Sequence, residues 1–320
     1  MKRTIAALVI SASGLACSDL SRPSEGHEVT RPTQAESDFR ADLVALASLP
    51  RPPGSPGWRE TQNELRRRLK SLGFQVELER YPSGVNVIGT KPGTTRPNER
   101  VYLTAHYDTI PDCPGGNDNG SGLAGVLALA RKLVAGRYGR TLVIAFFDEE
   151  ETGLKGSRAH VTKAGDVKMV FNLDAFGYRD TAPFTQRLPR GFGATFPAVK
   201  ERLEKRDLRA DFVALLATAS AADLARTAER GISTRGPQAV TVVVPDALID
   251  SPWVSDFRRS DHAPFWRHGV PALHVTDTAE YRNPSYHCRE APDTTSTVEP
   301  RFATDVSLGL LPALEAALTP

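Results

Sequence analysis

The sequence has almost no excess of charge of either sign. Lys and Arg total 40, and Asp and Glu total 38, which gives a formal net charge of +2. Lys2 and Arg3 lie in a predicted targeting segment, so 40 minus 2 leaves 38 cations against 38 acids. Proteins that bind nucleic acids gain much of their affinity from Lys and Arg that neutralise phosphates. The balanced charge therefore argues against a nucleic-acid partner and favours a small partner that is uncharged on average.

Long hydrophobic runs are also scarce, and the run at the amino terminus is short. Lys2 and Arg3 precede apolar residues 4–16, a layout that is typical of a bacterial export signal. The run falls short of the ~20 residues that span a bilayer, so a permanent membrane helix is not expected. We predict an export signal over residues 1–17. A buried amino-terminal strand is the alternative, and the charged start argues against it.

Cysteine is rare, with only 3 residues, and the first of them ends this segment. Residues 14–17 partly resemble a lipoprotein box, although Gly14 and Leu15 depart from its usual pattern. Lipidation of Cys17 would make it the first mature residue and hold the protein at an outer or inner membrane surface without spanning it. The protein is therefore predicted to be periplasmic or secreted. If Cys17 is lipidated, the exported protein is anchored to the membrane through this residue.

Large apolar residues are nearly absent between residues 18 and 36, where Ser, Pro, Thr and charged residues dominate. Such a composition cannot bury a core, so we predict a flexible tether over 18–36. Residues 37–320 have ordinary apolar content and no visible internal repeat, and they are predicted to form one globular domain.

Apolar spacing predicts alternating strands and helices through this domain. Two helices come first, and a strand pair joined by a turn follows them. The alternation that comes next predicts an α/β sheet covered by helices on both faces. The predicted helices are 39–49, 58–72, 123–134, 198–205, 221–230 and 302–318, and the predicted strands are 74–80, 85–90, 101–105, 142–147, 169–173, 212–216, 240–244 and 272–276.

Five short segments, each predicted to end a strand, contain side chains of the kinds that bind metals: His106 with Asp108, Asp118, the pair Glu150 and Glu151, Asp174, and His287. His106 with Asp108, the pair Glu150 and Glu151, and Asp174 each come just after a predicted strand. In open α/β sheets, ligands bind beyond the carboxyl ends of the strands. The pattern therefore predicts a two-metal hydrolase centre. The candidate ligands and their neighbours are His106, Asp108, Asp118, Glu150, Glu151, Asp174 and His287.

Each of these segments also has an ordinary interpretation. The triplet from His106 to Asp108 is a common type of strand end, although Asp108 is placed to hold the second nitrogen of a metal-bound imidazole. The Gly-rich segment 115–122 is also typical of a loop that caps a helix. Its lack of Lys and the charge of Asp118 argue against a phosphate cradle. The acids 148–151 could be a solvated charge run, yet adjacent carboxylates at a metal can divide ligation and proton transfer between them.

Taken in order, the motifs resemble those of the M28-type zinc aminopeptidases, which include bacterial leucyl aminopeptidase-like enzymes. The resemblance extends from about Phe39 to the carboxyl terminus and implies an M28-type peptidase catalytic domain over 37–320. It also implies a mixed, mostly parallel, twisted central sheet of the phosphorylase/hydrolase-like kind. The matching segments are 105–108 (AHYD), 117–122 (NDNGSG), 150–157 (EETGLKGS), 172–174 (NLD), 259–266 (RSDHAPFW) and 286–287 (YH).

The resemblance implies a ligand set for two zinc ions as cofactors. Asp118 would bridge the two ions, which in such centres lie ~3.5–4 Å apart. His106 and Asp174 would complete one site, and Glu151 and His287 would complete the other.

The resemblance also implies catalytic roles. Glu150 would be the general base that takes a proton from the attacking water and returns it to the leaving amine. Tyr286 would donate its hydroxyl to the developing oxyanion, and Asp108 would support His106. The family also tends to have a non-proline cis peptide bond after the bridging Asp, which here is the bond from Asp118 to Asn119.

Several neighbours of these motifs receive no metal from the resemblance. Asp261 and His262 look like ligands, but supporting or structural roles are expected for them. Phe265, Trp266 and Tyr281 are candidates for walls of the substrate pocket, while aromatic core packing is the alternative.

Cys113 and Cys288 remain after removal of the export signal, and each is near an implied ligand, Asp118 or His287. If those ligands meet at one centre, the two thiols are neighbours. In an oxidising exported setting we therefore predict a disulfide bond between them. Two unrelated thiols are the alternative.

The resemblance favours an aminopeptidase that acts on peptides with a free amino terminus. A glutaminyl cyclase-like transferase with one zinc is a second hypothesis, although Tyr286 and the pair Gly153 and Leu154 look closer to the aminopeptidases. Carboxypeptidase or dipeptidase specificity on the same fold also stays open. A non-catalytic binding module is disfavoured because all five ligand positions and Glu150 are intact.

Overall fold

The computed structural model describes residues 31–320 of the chain. The predicted export signal, Cys17 and most of the predicted tether lie outside the described residues. Pro32–Pro320 form one compact unit. Within the described part, no helix combines the length and the apolar content that crossing a membrane requires.

The first helix begins earlier than predicted, inside the last residues assigned to the tether. It starts at Gln34, where residues up to 36 were predicted to be flexible. The hydroxyl of Thr33 accepts a hydrogen bond from the backbone N–H of Glu36 at 3.2 Å, which satisfies a donor that the first turn leaves free. This capping residue fixes the start of the helix although the first apolar residues come later.

Ten α-helices surround the sheet within residues 31–320. They pack on both of its faces, one set against each of two buried apolar clusters. The helices are α1 (Gln34–Ala47), α2 (Pro56–Ser71), α3 (Gly122–Leu133), α4 (Lys155–Val161), α5 (Phe192–Thr195), α6 (Pro197–Glu204), α7 (Ala222–Ser233), α8 (His262–Arg267), α9 (Pro300–Gly309) and α10 (Leu311–Leu318).

The described residues form a single 8-stranded sheet, in the order β1-β2-β4-β3-β5-β8-β6-β7. The predicted hairpin is present, since β1 pairs antiparallel with β2. The central strands β4, β3, β5 and β8 pair in parallel, as do β6 and β7. The strands are β1 (Gln75–Arg80), β2 (Val85–Lys91), β3 (Arg96–His106), β4 (Arg140–Phe147), β5 (Asp166–Leu173), β6 (Phe212–Thr218), β7 (Gln238–Val244) and β8 (Ala272–Thr276).

The predicted fold class is confirmed. The sheet is mixed, because β2 with β4 and β6 with β8 also pair antiparallel. Helices α1, α3, α7, α9 and α10 pack on one face, and the segment around α6 and α8 covers the other. Burial on both faces explains why β4 and β5 read as continuous apolar runs instead of alternating ones.

The prediction of a single closing helix over 302–318 is wrong. The chain forms α9 and α10, with Leu310 between them. Pro312 is the physical reason, because proline has no N–H to donate and its ring clashes with the carbonyl four residues earlier, that of Leu308. Apolar periodicity continues across the break, so it does not show the interruption.

The sheet order brings the predicted ligand segments together. His106 ends β3 and lies opposite Phe147, the last residue of the neighbouring strand β4. Asp174 follows β5, the neighbour of β3 on its other side. Because the three strands are parallel, their carboxyl ends meet at one edge of the sheet. That edge carries the candidate metal centre.

Candidate metal centre

His106, Asp118 and Asp174 form a first group of ligand atoms. The Nε2 atom of His106 lies 3.2 Å from Oδ1 of Asp118 and 3.3 Å from Oδ1 of Asp174. That nitrogen is buried and has no hydrogen-bond partner among the described residues. A buried ring nitrogen that faces two carboxylate oxygens, in contact range of both, is the arrangement expected of a metal ligand.

Asp118, Glu151 and His287 form a second group. The Nε2 atom of His287 lies 3.3 Å from Oδ2 of Asp118 and 3.1 Å from Oε2 of Glu151. Asp118 therefore turns one carboxylate oxygen toward His106 and the other toward His287. One carboxylate shared by two groups is what a bridging ligand requires.

The spacing of these atoms fits zinc. Zinc binds histidine nitrogen and carboxylate oxygen at about 2.0–2.2 Å in tetrahedral geometry, which places neighbouring ligand atoms about 3.3 Å apart. The four distances between 3.1 and 3.3 Å agree with that value. A mixed set of imidazoles and carboxylates also suits zinc better than Mg²⁺ or Ca²⁺, which prefer oxygen ligands. The residues present therefore fit the ion that the sequence predicts.

The acids of the centre outnumber its histidines, and burial shapes their pKa values. Burial raises the pKa of Glu150 well above its ordinary value and that of Glu151 to about 7. Burial alone would lower the pKa of His287, but hydrogen bonds to Asp118 and Glu151 raise it to about 9. Burial alone would raise the pKa of Asp118, but its bonds to the two histidines hold it below the ordinary value. A divalent cation would balance this cluster of buried carboxylates.

Despite burial, neighbouring carboxylates also raise the pKa of His106, the histidine of the first group. Burial lowers the pKa of His106, and the nearby carboxylates of Asp174 and Glu150 outweigh that effect and hold it well above the ordinary value. His106 also forms a third group of ligand atoms with Glu150 and Glu151. Glu150 thus lies at the border of the ligand groups.

Asp108 supports both His106 and the acid pair. Its Oδ1 atom lies 3.4 Å from Nδ1 of His106. The same carboxylate accepts hydrogen bonds from the backbone N–H groups of Glu150 at 3.0 Å and Glu151 at 3.2 Å. The sequence predicts the first contact, whereas the second arises only because β3 and β4 end side by side.

Only two of the four consecutive acids face the centre. Glu149 has a left-handed backbone with φ of 55°, which turns the chain after β4. Its carboxylate points away, toward the hydroxyl of Ser83 and the ammonium of Lys155. Asp148 is buried and accepts hydrogen bonds from Trp58 and Val85. The run is therefore neither a solvated face nor a four-acid ligand cluster.

The segment that carries Asp118 is an irregular turn, Gly116–Ser121, in which Asp118 and Asn119 have non-helical backbone angles. The prediction that Asp118 follows a strand end is therefore wrong. The peptide bond from Asp118 to Asn119 is cis, as the resemblance implies. Both carboxylate oxygens of Asp293 accept backbone N–H groups of this turn, from Asn117 and Asp118, each at 2.9 Å. Asp293 thus positions the shared ligand. Sequence reasoning missed it, because a lone acid in a polar loop has no distinguishing pattern.

Arg51 is the second supporting residue that the sequence does not reveal. It is completely buried, and its guanidinium donates to the backbone carbonyls of Tyr107 at 2.8 Å, Pro114 at 2.5 Å and Gly115 at 3.1 Å. Burial lowers its pKa to about 10, so it stays charged near neutrality. Arg51 therefore stabilises the backbone of the loop between His106 and Asp118 through these hydrogen bonds.

Asp174 is held by a chain of polar side chains. The hydroxyl of Ser260 donates to Oδ2 of Asp174 at 2.5 Å, and the amide of Asn172 donates to Ser260 at 2.8 Å. Thr104 in turn donates to the carbonyl oxygen of that amide at 2.7 Å. Ser260 lies directly before Asp261 in the motif 259–266. That motif was the sequence signal that could have identified Ser260 as a neighbour of the centre.

Asp261 and His262 belong to none of the groups of ligand atoms found within residues 31–320. Burial raises the pKa of Asp261 to about 7. The ring of His262 stacks on that of His274 with centroids 4.3 Å apart, and its Nε2 atom lies 2.7 Å from the carbonyl oxygen of Phe257. These contacts agree with the structural role expected for His262, whereas both buried carboxylate oxygens of Asp261 lack a hydrogen-bond partner among the described residues.

Tyr286 lies beside His287 in the turn Tyr286–Cys288, also away from any strand end. Its ring stacks on the imidazole of His287 at a centroid distance of 3.9 Å. Its hydroxyl accepts a hydrogen bond from the guanidinium of Arg259 at 3.1 Å. Burial raises the pKa of Tyr286, which keeps the hydroxyl protonated and able to donate.

The predicted disulfide bond is confirmed. Cys113 and Cys288 are joined, with a Cα–Cα distance of 5.8 Å and a sequence separation of 175 residues. The bond links the loop before Asp118 to the turn that carries His287. It therefore connects the segments that supply two of the three residues of the second group, Asp118 and His287.

An open pocket of about 880 Å³, counted out to the solvent, adjoins the centre. Asp118, Glu150 and Asp174 line it together with apolar side chains of α5, α6, β6 and β7, and with polar side chains of β8 and the neighbouring loops. Tyr281 lines it, as predicted. The same prediction is wrong for Phe265 and Trp266, which belong to α8 and are buried in the core. Apolar content alone could not separate pocket walls from core.

The profile of Peptidase family M28 matches residues 86–312 of the chain. Protein YfbL of Escherichia coli (strain K12) is 31% identical over 202 residues, which cover 58% of this chain and 58% of YfbL. Aminopeptidase YwaD of Bacillus subtilis (strain 168) is 32% identical over 127 residues, which cover 38% of this chain and 28% of YwaD. The matched segment thus spans about half of the first relative and less of the second.

Solved structures share the fold. An aminopeptidase from Aneurinibacillus sp. strain AM-1 superposes with a TM-score of 0.66, covering 89% of this chain and 94% of that one at 15% identity. BSAP, a zinc aminopeptidase from Bacillus subtilis, gives a TM-score of 0.64 over 89% of this chain and 95% of that one, also at 15% identity. At such low identity the likeness establishes the architecture alone.

Proposed function

The chain belongs to peptidase family M28, and from this premise we propose that it is a zinc aminopeptidase that hydrolyses the first peptide bond of peptides with a free amino terminus. One observation carries the proposal: two groups of ligand atoms share Asp118, and Glu150 stands at their border in the same pocket. The name of the relative YwaD, an aminopeptidase, supports the choice of reaction.

We propose a centre for two zinc ions. His106 and Asp174 would hold one ion, Glu151 and His287 the other, and Asp118 both. When bound, such ions polarise the scissile carbonyl and lower the pKa of a water molecule toward ~7.

The residues of the chain supply proton transfer and orientation. Glu150 accepts the proton of the attacking water and delivers it to the nitrogen of the leaving amine, so the C–N bond breaks without releasing an anion. Burial raises the pKa of this carboxyl, and a higher pKa makes the ionised carboxylate a stronger proton acceptor. The protonated hydroxyl of Tyr286 donates to the oxygen on which negative charge develops. Asp108 keeps His106 and the backbone of the acid pair in place during these steps.

The proposal is tested with a panel of matched substrates. Leucine 4-nitroanilide, its N-acetyl derivative and a glutaminyl peptide are incubated with the zinc-loaded protein, with and without a chelator. We expect the free substrate to be cleaved, the acetylated one to be at least about 100-fold slower, and the chelator to abolish activity until zinc is restored.

Other outcomes of the panel point elsewhere. Loss of ammonia from the glutaminyl peptide without cleavage would identify a glutaminyl cyclase-like transferase. Cleavage at the carboxyl end, or of dipeptides only, would indicate carboxypeptidase or dipeptidase specificity. Activity that survives complete removal of metal would overturn the proposed chemistry.

We also propose that the protein is exported and attached to a membrane through Cys17. The bond between Cys113 and Cys288 supports the export, because disulfide bonds persist in oxidising compartments. Cells grown with radiolabelled palmitate should yield a labelled protein, whereas Cys17→Ser should yield an unlabelled one. Absence of label in the unaltered protein would remove the anchor, and a cytoplasmic protein with free thiols would contradict the export.

A further inference from the structure

The pocket beside the metal centre runs sideways across the sheet. It begins at Asp174 beyond β5 and continues over β8 and β6 to Val240 and Val242 on β7. Neighbouring strands lie about 4.8 Å apart, so the three steps from β5 to β7 extend the pocket by about 14 Å. A phenylalanine side chain reaches only about 5 Å from its α-carbon. The pocket is therefore much longer than the first side chain of a peptide needs.

The strands under the far part of the pocket belong to the second buried apolar cluster, and their side chains on one face of the sheet also line the pocket. Phe212, Ala214 and Leu216 on β6 face the pocket and keep 3%, 4% and 7% exposure. Val213 and Leu215 alternate with them on the other face of the strand and are 0% exposed. The pocket face of β6 is thus buried and apolar, and it is slightly more accessible than the opposite face.

The distribution of polar groups limits what can occupy the far part. Apart from the acids of the metal centre, the charged residues that line the pocket are Asp256, Arg259 and Glu280, which are exposed or half-buried. Neutral polar side chains, His274 and Thr276 of β8 among them, line the part nearest the centre. The lining residues from α5, α6, β6 and β7 are all apolar. A peptide entering this part would bury amide groups and its ammonium without partners, which carries a free-energy penalty. A hydrocarbon chain has no such groups to satisfy.

We propose that the same centre also hydrolyses amides whose acyl group is a linear aliphatic chain, with the chain lying across β8, β6 and β7. At about 1.3 Å of length per carbon, the pocket accommodates roughly ten carbons. The activity rests on the hydrolytic chemistry of the proposed function. Water adds to the acyl carbon, the C–N bond breaks, and the leaving nitrogen takes the proton held by Glu150. The products are a fatty acid and a free amine, and water is the only other reactant.

A series of acyl 4-nitroanilides from butanoyl to dodecanoyl tests the proposal on the zinc-loaded protein, with leucine 4-nitroanilide measured in parallel. Each CH₂ that enters the pocket should raise kcat/KM about fourfold, up to roughly ten carbons. Binding of the corresponding N-acylglycines to Glu150→Gln, measured by calorimetry, should show the same dependence without turnover. Values that level off after four or five carbons in both series would overturn the proposal.

The outcomes separate this inference from the aminopeptidase. If leucine 4-nitroanilide is cleaved but kcat/KM does not rise with acyl chain length, the proposed aminopeptidase activity stands and the proposed acyl hydrolysis is contradicted. If neither substrate type is cleaved, the proposed function and the acyl hydrolase both fall. Binding that still rises with chain length would in that case leave only an acyl-binding pocket.

A substitution at the far end gives an independent check. Val242→Phe should lower kcat/KM for the dodecanoyl substrate by more than about tenfold and move the optimum to shorter chains. Val243→Phe is the matched control, because Val243 is half-buried on the opposite face of the same strand. An unchanged optimum in a folded Val242→Phe protein would contradict the assigned path. If that variant does not fold, the series on the unaltered protein decides.

Discussion

Glu150→Gln should lower kcat for leucine 4-nitroanilide by about 10²–10⁴-fold, the range typical of a lost general base. The amide keeps the size of the side chain but accepts no proton at neutral pH. Because Glu150 is not in either group of atoms assigned to a metal site, the zinc content should stay at the unaltered value. Steady-state kinetics and elemental analysis of the dialysed protein measure the two quantities.

Glu149→Gln is the matched control for this prediction. It makes the same chemical change one residue earlier, where the carboxylate bonds Ser83 and Lys155 and faces away from the centre. We expect its kcat to stay within a few-fold of the unaltered value. Equal losses in both variants would show that the acid run acts through local folding, and a Glu150→Gln protein with near-normal kcat would exclude proton transfer by this residue.

The sequence predicts the parts of the centre that depend on strand ends. His106 and Asp174 terminate parallel strands, and parallel neighbours place such residues at one edge whatever the loops do. The position of Asp118 and His287 could not be derived in this way, because both lie in irregular turns. For those two, the order of motifs and the resemblance carried the prediction.

The supporting residues could not be predicted from the sequence for a different reason. Arg51 and Asp293 act through backbone groups of segments that are distant in sequence. Their significance arises only when the loops around Asp118 are assembled, and neither residue has a periodic or spacing signal. The division between pocket and core was hidden in the same way, since Phe257 lines the pocket and Phe265 is buried although both are aromatic.

Asp118→Asn should remove zinc from both groups at once. The substitution replaces a shared anionic ligand by a neutral amide, so each group loses charge as well as an oxygen donor. Changing a partner that merely orients a metal ligand costs ~10–100-fold in affinity, so losing the shared ligand should exceed about 100-fold for each ion. Zinc content after dialysis and the rise in Tm on adding zinc, which reports binding to the folded state, measure the effect.

Asp112→Asn provides the comparison, because Asp112 carries the same charge on the same loop, is exposed, and has φ of 61°, a backbone conformation that asparagine tolerates. Its zinc content and its rise in Tm should match those of the unaltered protein. A variant of Asp118 that lost only one ion would place the carboxylate in a single site. An Asp118→Asn protein that kept both ions at full affinity would contradict the shared position of this residue. The two-ion centre would then need another bridging ligand. Among the described residues Glu151 could serve, because it forms groups of ligand atoms with both His106 and His287.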